Sequence, residues 1–481
     1  MKLKSLDLDI NEYKDLLNKT NELVLKQYEQ IETQKGYHDF SQEEVESWFD
    51  ESIPLNGMDN GELLSFVGQK VLNTATGNLG PHMYAYVMSG GNQISNLAET
   101  LANTVDQNPT KWHLSPAMNE IEKRVIHWTT QMIGYHPKAG GVMVSGGSAA
   151  NLTGLTVARN VFFKKENIKE EGLFNKKPFT VYASEQVHSC IDKSVQILGI
   201  GSNQLRKIRI DIDYRIDIEA LKQQIEKDIS QGYLPFCIVG ISGTVNTGAI
   251  DDLDALADIA EKHQMWFHID GAYGGLASSL DGLKQYYKGI ERADSIALDF
   301  HKWLYQPFEV GCAIIKDWNS LRETYYKKAE YLDTELETGT NRLEFNEHYF
   351  QVSRNAKAFK VWMSLKSYGF NAFKAMIQKD IDLTHYLADE INKSSDFELK
   401  STSHLAVVCF RYIGNLTSEE AIKTINKNLI PALEQDGRVF ITGTKLGEEF
   451  VLRACLINHR KTKKTSDFLL NVIREVGQKL E

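Results

Sequence analysis

The sequence predicts an α/β protein: a large, mostly parallel sheet domain over 83–362, preceded by a helical segment over 1–82 and followed by a small α+β domain over 363–481. Two observations predict the sheet. Apolar runs at 140–144, 179–183, 200–211, 236–244, 266–270, 295–298 and 312–316 alternate with helical stretches, the order that produces parallel strands joined by right-handed crossovers. In addition, Thr244, Asp270 and Lys302 all fall where such runs end, and open α/β sheets carry their sites at the C-terminal ends of strands.

The chain's 481 residues allow two or three domains and a sizeable core. Hydrophobic residues make up 42% and charged residues 25%, as in ordinary globular proteins. With 54 Lys and Arg against 64 Asp and Glu, the net charge of −10 argues against nucleic acid or an anionic membrane as partner. The five cysteines (Cys190, Cys237, Cys312, Cys409, Cys455) are odd in number, scattered and free of any Cys-x-x-Cys pair, and so read as reduced core residues. The first residues lack an apolar signal region and no apolar run is long enough to span a bilayer, so a cytoplasmic location is expected. Repeats and low-complexity tracts are absent from the sequence.

Within 1–82, Leu16, Leu17, Leu23, Val24 and Leu25 alternate with charged positions, and Ser41-Gln42-Glu43-Glu44 is a capping-box signal. The text then changes to His82-Met83-Tyr84-Ala85-Tyr86, ending in Gly90-Gly91, and to Trp112-His113-Leu114-Ser115-Pro116 before a helix over 118–132. From spacing alone these stretches read as a buried strand and turn, or as the lining of an aromatic pocket. Residues 140–151 form a strand feeding the turn Gly146-Gly147-Ser148, which opens a helix running to about residue 163. Free N–H groups, the helix dipole and the Ser148 hydroxyl make that junction an anion site. It does not fit the triphosphatase loop, because no Gly-Lys-Ser/Thr follows. The lysine-rich 164–177 reads as a solvated helix and loop. His188 stands at a helix start, where a histidine by itself is more often a cap or core residue.

In the strand Trp266-Phe267-His268-Ile269-Asp270, alternation puts Trp266, His268 and Asp270 on one face. Asp270 emerges at the strand's end, before Gly271-Ala272, where a flat ring can approach closely. Lys302, between His301 and Trp303, follows another buried run, and such surroundings favour the neutral amine that forms a Schiff base. A lysine and a carboxylate able to pair with a protonated pyridine nitrogen, on neighbouring strand ends, are what pyridoxal phosphate (PLP) requires of a protein.

His268-Ile269-Asp270-Gly271-Ala272-Tyr273, Asp294-Ser295 and His301-Lys302-Trp303 together resemble the group II pyridoxal-phosphate decarboxylases, which act on aromatic amino acids, glutamate, histidine or diaminobutyrate. The resemblance extends from about His82 to the C-terminus and implies the type I PLP-dependent fold. It implies that Lys302 carries PLP, that Asp270 keeps the ring nitrogen protonated and that His188 stacks on the ring. Gly147, Ser148 and His301 are then the phosphate ligands, with Thr244 and Ala272 also at the cofactor. It further implies that Tyr84, Tyr86 and Trp112 form the substrate pocket, often across subunits. Tyr331, on a loop after the lysine, would return a proton to the α-carbon. The N-terminal segment would pack on the partner of a homodimer. Three departures accompany the likeness: Val245 follows Thr244 where a second threonine is common, Asn355 and Lys357 replace usual arginines, and Asp299-Phe300 precedes His301. Asp299 is not counted as a phosphate ligand, since a carboxylate beside a dianion is unfavourable unless it points away or is hydrogen-bonded.

The expected activity is decarboxylation of an L-amino acid to its amine and carbon dioxide. An aromatic substrate leads, because Lys111 is the sole Lys or Arg from His82 to Pro116 and an acidic side chain would need a buried cation. Alternatives are glutamate or 2,4-diaminobutyrate as substrate, or a same-fold transaminase, lyase or aldehyde synthase. Tyr331 argues against the aldehyde synthase, since the resembling aldehyde-forming enzymes tend to carry Phe there. From other classes come a metal hydrolase using His263, His268 and Asp270, and a binding protein that has lost activity; otherwise no metal is expected.

Overall fold

The computed structural model describes residues 6–328 and 342–481. Strands β1 (Gly140–Val144), β2 (Phe179–Ser184), β3 (Leu205–Ile208), β4 (Leu234–Ile241), β5 (Trp266–Asp270), β6 (Ser295–Asp299) and β7 (Gly311–Ile315) form one sheet in the order β1-β7-β6-β5-β4-β2-β3. Five of them, β3, β2, β4, β5 and β6, run parallel, while β7 lies antiparallel between β6 and β1. Every residue of β1, β2, β6 and β7 is buried, which is why these strands read as unbroken apolar runs. The apolar run at 200–211 yields only the four-residue β3, because Ser202–Gln204 forms a short helical turn.

Pairing of β4 with β5 and β5 with β6 sets Ile241 beside Asp270 and Asp270 beside Ala297, so three strand ends open at one rim. After β6 the chain makes a single helical turn, Phe300–Trp303, and returns as β7. Lys302 is therefore on the reversal itself. Gly311 pairs with both Asp299 and Val144, and a Cβ there would come within 2.7 Å of Gly146 Cα. That close approach brings the turn after β1 against the end of β6.

A second sheet, β8 (Phe397–Thr402), β9 (Val407–Tyr412), β10 (Thr442–Leu446) and β11 (Glu449–Cys455), is antiparallel in the order β10-β11-β9-β8. It packs against the helices Phe370–Lys393, Glu419–Asp436 and Lys463–Leu480. At the N-terminus the helix Ile10–Glu29 buries none of its residues. Ser41 caps the helix Gln42–Phe49 by accepting the Glu44 N–H at 3.1 Å. The helix Gln93–Val105 turns Leu97, Leu101 and Val105, four residues apart, toward solvent. No helix among the described residues is long and apolar enough to cross a membrane.

The reversal bearing Lys302 is held from several directions. Trp303 Nε1 and Tyr305 OH donate to Asp380 Oδ2 at 3.1 and 2.7 Å. Asn92 Nδ2 donates to the Tyr305 carbonyl at 2.8 Å and Ser89 Oγ to the His301 carbonyl at 2.6 Å. Arg460 donates to the carbonyls of Leu79, Gly90 and Gly91, and Lys461 Nζ to those of Pro81 and Met83. Burial pushes the Asp380 carboxyl up to about 7, against the hydrogen bonds from Tyr305 and Trp303 that favour its anion. A raised carboxyl holds its proton in the folded state after the unfolded chain has released it. The stability it contributes is complete below the unfolded value of about 4 and is lost as pH rises toward 7. Thermal melts of Asp380→Asn and the parent across that window are expected to show the difference in melting temperature moving in the variant's favour as pH rises. A pH-independent difference would remove this role from Asp380.

Candidate active site

The ends of β1, β4, β5 and β6 enclose a cavity of about 420 Å³ into which Ser148, His188, Asp270, Ala272, His301 and Lys302 open. Lys302 is half-buried between the fully buried Phe300 and Trp303, and among the described residues its Nζ makes no hydrogen bond or ion pair. A buried strand end thus delivers an uncommitted amine to the cavity. Asp270, 7% exposed, accepts the Ala272 N–H at 3.1 Å, which orients the carboxylate at the same rim.

His188 caps a helix and lines the cavity. As N-cap of the helix Ser189–Ile197, its Nδ1 accepts the Cys190 N–H at 3.1 Å, leaving Nε2 to carry the proton of the neutral ring. Desolvation holds its pKa below the ordinary value, helped by the charges of Lys302 and Lys193 and opposed by Asp270 and Asp192. The cap fixes the plane of a neutral imidazole in the cavity wall.

At the other end, the helix Gly147–Phe162 begins at the rim. The Gly147 N–H donates to Asp299 Oδ2 at 3.0 Å, and Asp299 Oδ1 lies 2.7 Å from His301 Nδ1. Asp299 is therefore hydrogen-bonded, the condition under which a carboxylate can stand beside an anion. Gly147 is required by crowding, since a Cβ there would sit 2.7 Å from Ala272 Cβ. Ser148, exposed on the first helical turn, and His301 remain to meet an anion. An amine, a carboxylate, a flat imidazole and a helix N-terminus facing one space are a donor set that fits PLP.

Other expected residues are placed elsewhere. Thr244 is buried and turned into its own loop, with Oγ1 2.9 Å from Thr247 Oγ1 and accepting the Ala249 N–H; the neighbouring Val245 lines the cavity instead. Tyr84 is a core residue, 0% exposed, its hydroxyl donating to the Thr465 carbonyl at 2.7 Å beneath Lys461. Tyr86 is exposed and meets Phe440 edge-on, while Trp112 donates Nε1 to Glu120 at 3.2 Å under the Arg342 guanidinium. None of these three aromatics lines the cavity of its own chain. Tyr331 lies outside the described residues.

The trio His263, His268 and Asp270 does not converge. His263 faces Glu226 at 4.0 Å, and both ring nitrogens of His268 are engaged by Ser295 and Asn151. Asn151, Cys190, Phe308 and Glu309 are lining residues that sequence reasoning missed. Asn151 was within reach, one helical turn after Ser148; nothing in the local pattern marks Phe308 or Glu309.

Residues 43–413 match the pyridoxal-dependent decarboxylase conserved domain. The chain is 34% identical over 478 residues to an aromatic-L-amino-acid decarboxylase of Bacillus atrophaeus, spanning 99% of this chain and 98% of that protein. It is 29% identical over 431 residues to an L-2,4-diaminobutyrate decarboxylase of Acinetobacter baumannii, with 87% and 84% covered. Among solved structures, Oryza sativa TDC with PLP and tryptamine matches with a TM-score of 0.93 over 99% of this chain and 100% of that one, at 23% identity, a likeness of fold.

Proposed function

We infer that this chain, which belongs to the pyridoxal-dependent decarboxylase family and is a PLP-dependent amino acid decarboxylase, acts on aromatic L-amino acids. The observation that carries the substrate class is the 34% identity to the Bacillus atrophaeus aromatic-L-amino-acid decarboxylase along nearly the whole of both chains. The cavity is consistent with it. Lys302 is the sole Lys or Arg lining it among the described residues, and the Glu309 carboxylate at its edge opposes an acidic substrate side chain.

In this reading, Lys302 holds the cofactor through its amine, and Ser148 and His301 bind the phosphate. Asp270 keeps a proton on the ring nitrogen, and His188 limits the ring's tilt. When bound, PLP supplies the electron sink that takes up the pair left by the departing carboxylate. Tyr331 returns a proton to the α-carbon.

Two copies of the chain are proposed to act together. The unburied helix Ile10–Glu29 and the outward row Leu97, Leu101 and Val105 supply apolar surface for a partner, and Tyr86 and Trp112 are then available to the partner's cavity. The five cysteines, all buried and free, suit a reducing compartment, and we assign the protein to the cytoplasm.

A second reading is favoured by Glu309, which could meet the distal ammonium of a diamino acid, as in the Acinetobacter baumannii relative's substrate. Its charge is partly met by Lys357 Nζ at 2.9 Å. The deciding experiment measures carbon dioxide release by PLP-loaded protein from L-tyrosine, L-tryptophan and L-phenylalanine against L-2,4-diaminobutyrate and L-glutamate. Release from the aromatic set, by a species with twice the 54.6 kDa chain mass in light scattering, is expected. Release from diaminobutyrate or glutamate alone would replace the substrate class.

A further inference from the structure

We propose that His268 is a positioning residue that ties the phosphate end of the cofactor site to its carboxylate end and leaves the charge of Asp270 undivided. The inference rests on assigning Asp270 to the ring nitrogen and the helix Gly147–Phe162 to the phosphate.

The imidazole is 0% exposed and bridges three elements. It belongs to β5, two residues before Asp270 and on the same face of the strand. Its Nδ1 lies 2.7 Å from Ser295 Oγ on β6, and its Nε2 lies 2.8 Å from Asn151 Oδ1, one turn into the phosphate-end helix. Ser295 Oγ is itself held by Trp266 Nε1 at 2.8 Å, and Asn151 Nδ2 reaches Cys190 Sγ at 3.5 Å, beside the His188 cap. Helix and ring are pressed together at Gly154, where a Cβ would fall 2.6 Å from His268 Cε1. The span from helix N-terminus to Asp270 is thereby set by a rigid ring in contact on both sides.

The same surroundings fix its charge. Both nitrogens face neutral groups, a hydroxyl and a carboxamide, and burial pushes the imidazole down to about 4. An imidazolium here would stand beside Asp270 in a dry interior and compete for the charge the ring nitrogen needs. A neutral His268 supplies the spacing without that competition.

The test uses PLP-loaded protein and the variants His268→Phe, His268→Gln and Gly154→Ala, with circular dichroism to confirm folding. His268→Phe is expected to weaken PLP binding by at least about tenfold and to move the visible absorbance of the bound cofactor, because Asn151 and Ser295 each lose a buried partner. Inorganic phosphate, measured by competition with PLP, uses the phosphate end of the site alone and should keep its affinity within about twofold. His268→Gln, whose amide can reach Asn151, should recover most of the loss, and Gly154→Ala should reproduce it with the imidazole intact. If the Phe variant fails to fold, the Gln and Ala variants decide. Parental PLP affinity and absorbance in Gly154→Ala, or equal losses for PLP and phosphate, would overturn the proposal. A parent protein that binds no PLP would overturn the site assignment instead, so the two failures are distinguishable.

Discussion

Lys302→Ala is expected to abolish turnover, by at least about 10³-fold, and to remove the visible absorbance that arises when the lysine amine bonds the cofactor. Two features set this expectation apart from ordinary core damage. Lys302 Nζ holds no partner among the described residues, and its side chain opens into the cavity, so truncation strands no buried group. Stability should therefore stay within roughly 0.5 kcal/mol of the parent, as for a substitution away from buried networks. Absorbance titration with PLP, steady-state rates and a thermal melt on one preparation check all three statements. Retained absorbance in the variant would show that another amine carries the cofactor.

Asp270→Asn tests the opposite end of the ring. The substitution preserves shape and a carbonyl oxygen for the Ala272 N–H at 3.1 Å, yet removes the negative charge proposed to hold a proton on the pyridine nitrogen. Cofactor should still bind through Lys302 and the helix end, while the rate falls by roughly 10²–10³-fold, the size of loss seen when one preorganised electrostatic contact is deleted. A rate within about threefold of the parent would mean that the charge of Asp270 is not used in the reaction. The two variants therefore separate: one loses attachment, the other keeps attachment and loses electron-withdrawing power.

Much of this arrangement was legible because its logic is local. Alternation along Trp266-Phe267-His268-Ile269-Asp270 needs five residues, and the strand end that follows is announced by Gly271. The placement of Lys302 after β6 was legible for the same reason. What stayed hidden depends on segments far apart in the chain. Tyr84 reads as a pocket aromatic until the C-terminal residues Lys461 and Thr465 cover it. Thr244 reads as a site residue until Thr247 and Ala249 fold back onto its hydroxyl. The antiparallel insertion of β7 between β6 and β1 follows from a reversal at Phe300–Trp303, and hydrophobic periodicity carries no strand direction. Asp299 was an intermediate case. Its proximity to the phosphate end was visible, but its donor, the Gly147 N–H, is brought to it by the pairing of β7 with both neighbouring strands.

The stitching of the Lys302 reversal has a consequence for how the protein is made. Asp380 grips Trp303 and Tyr305, Asn92 grips Tyr305, and Arg460 and Lys461 close over the carbonyls of 79–91. On the ribosome, Lys302 emerges well before Asp380, which grips the two aromatic residues beyond it. A nascent chain stopped short of Asp380 carries Lys302 on a reversal that lacks this grip. Firm seating of the cofactor is therefore expected only after Asp380 has left the exit tunnel and folded back onto the reversal.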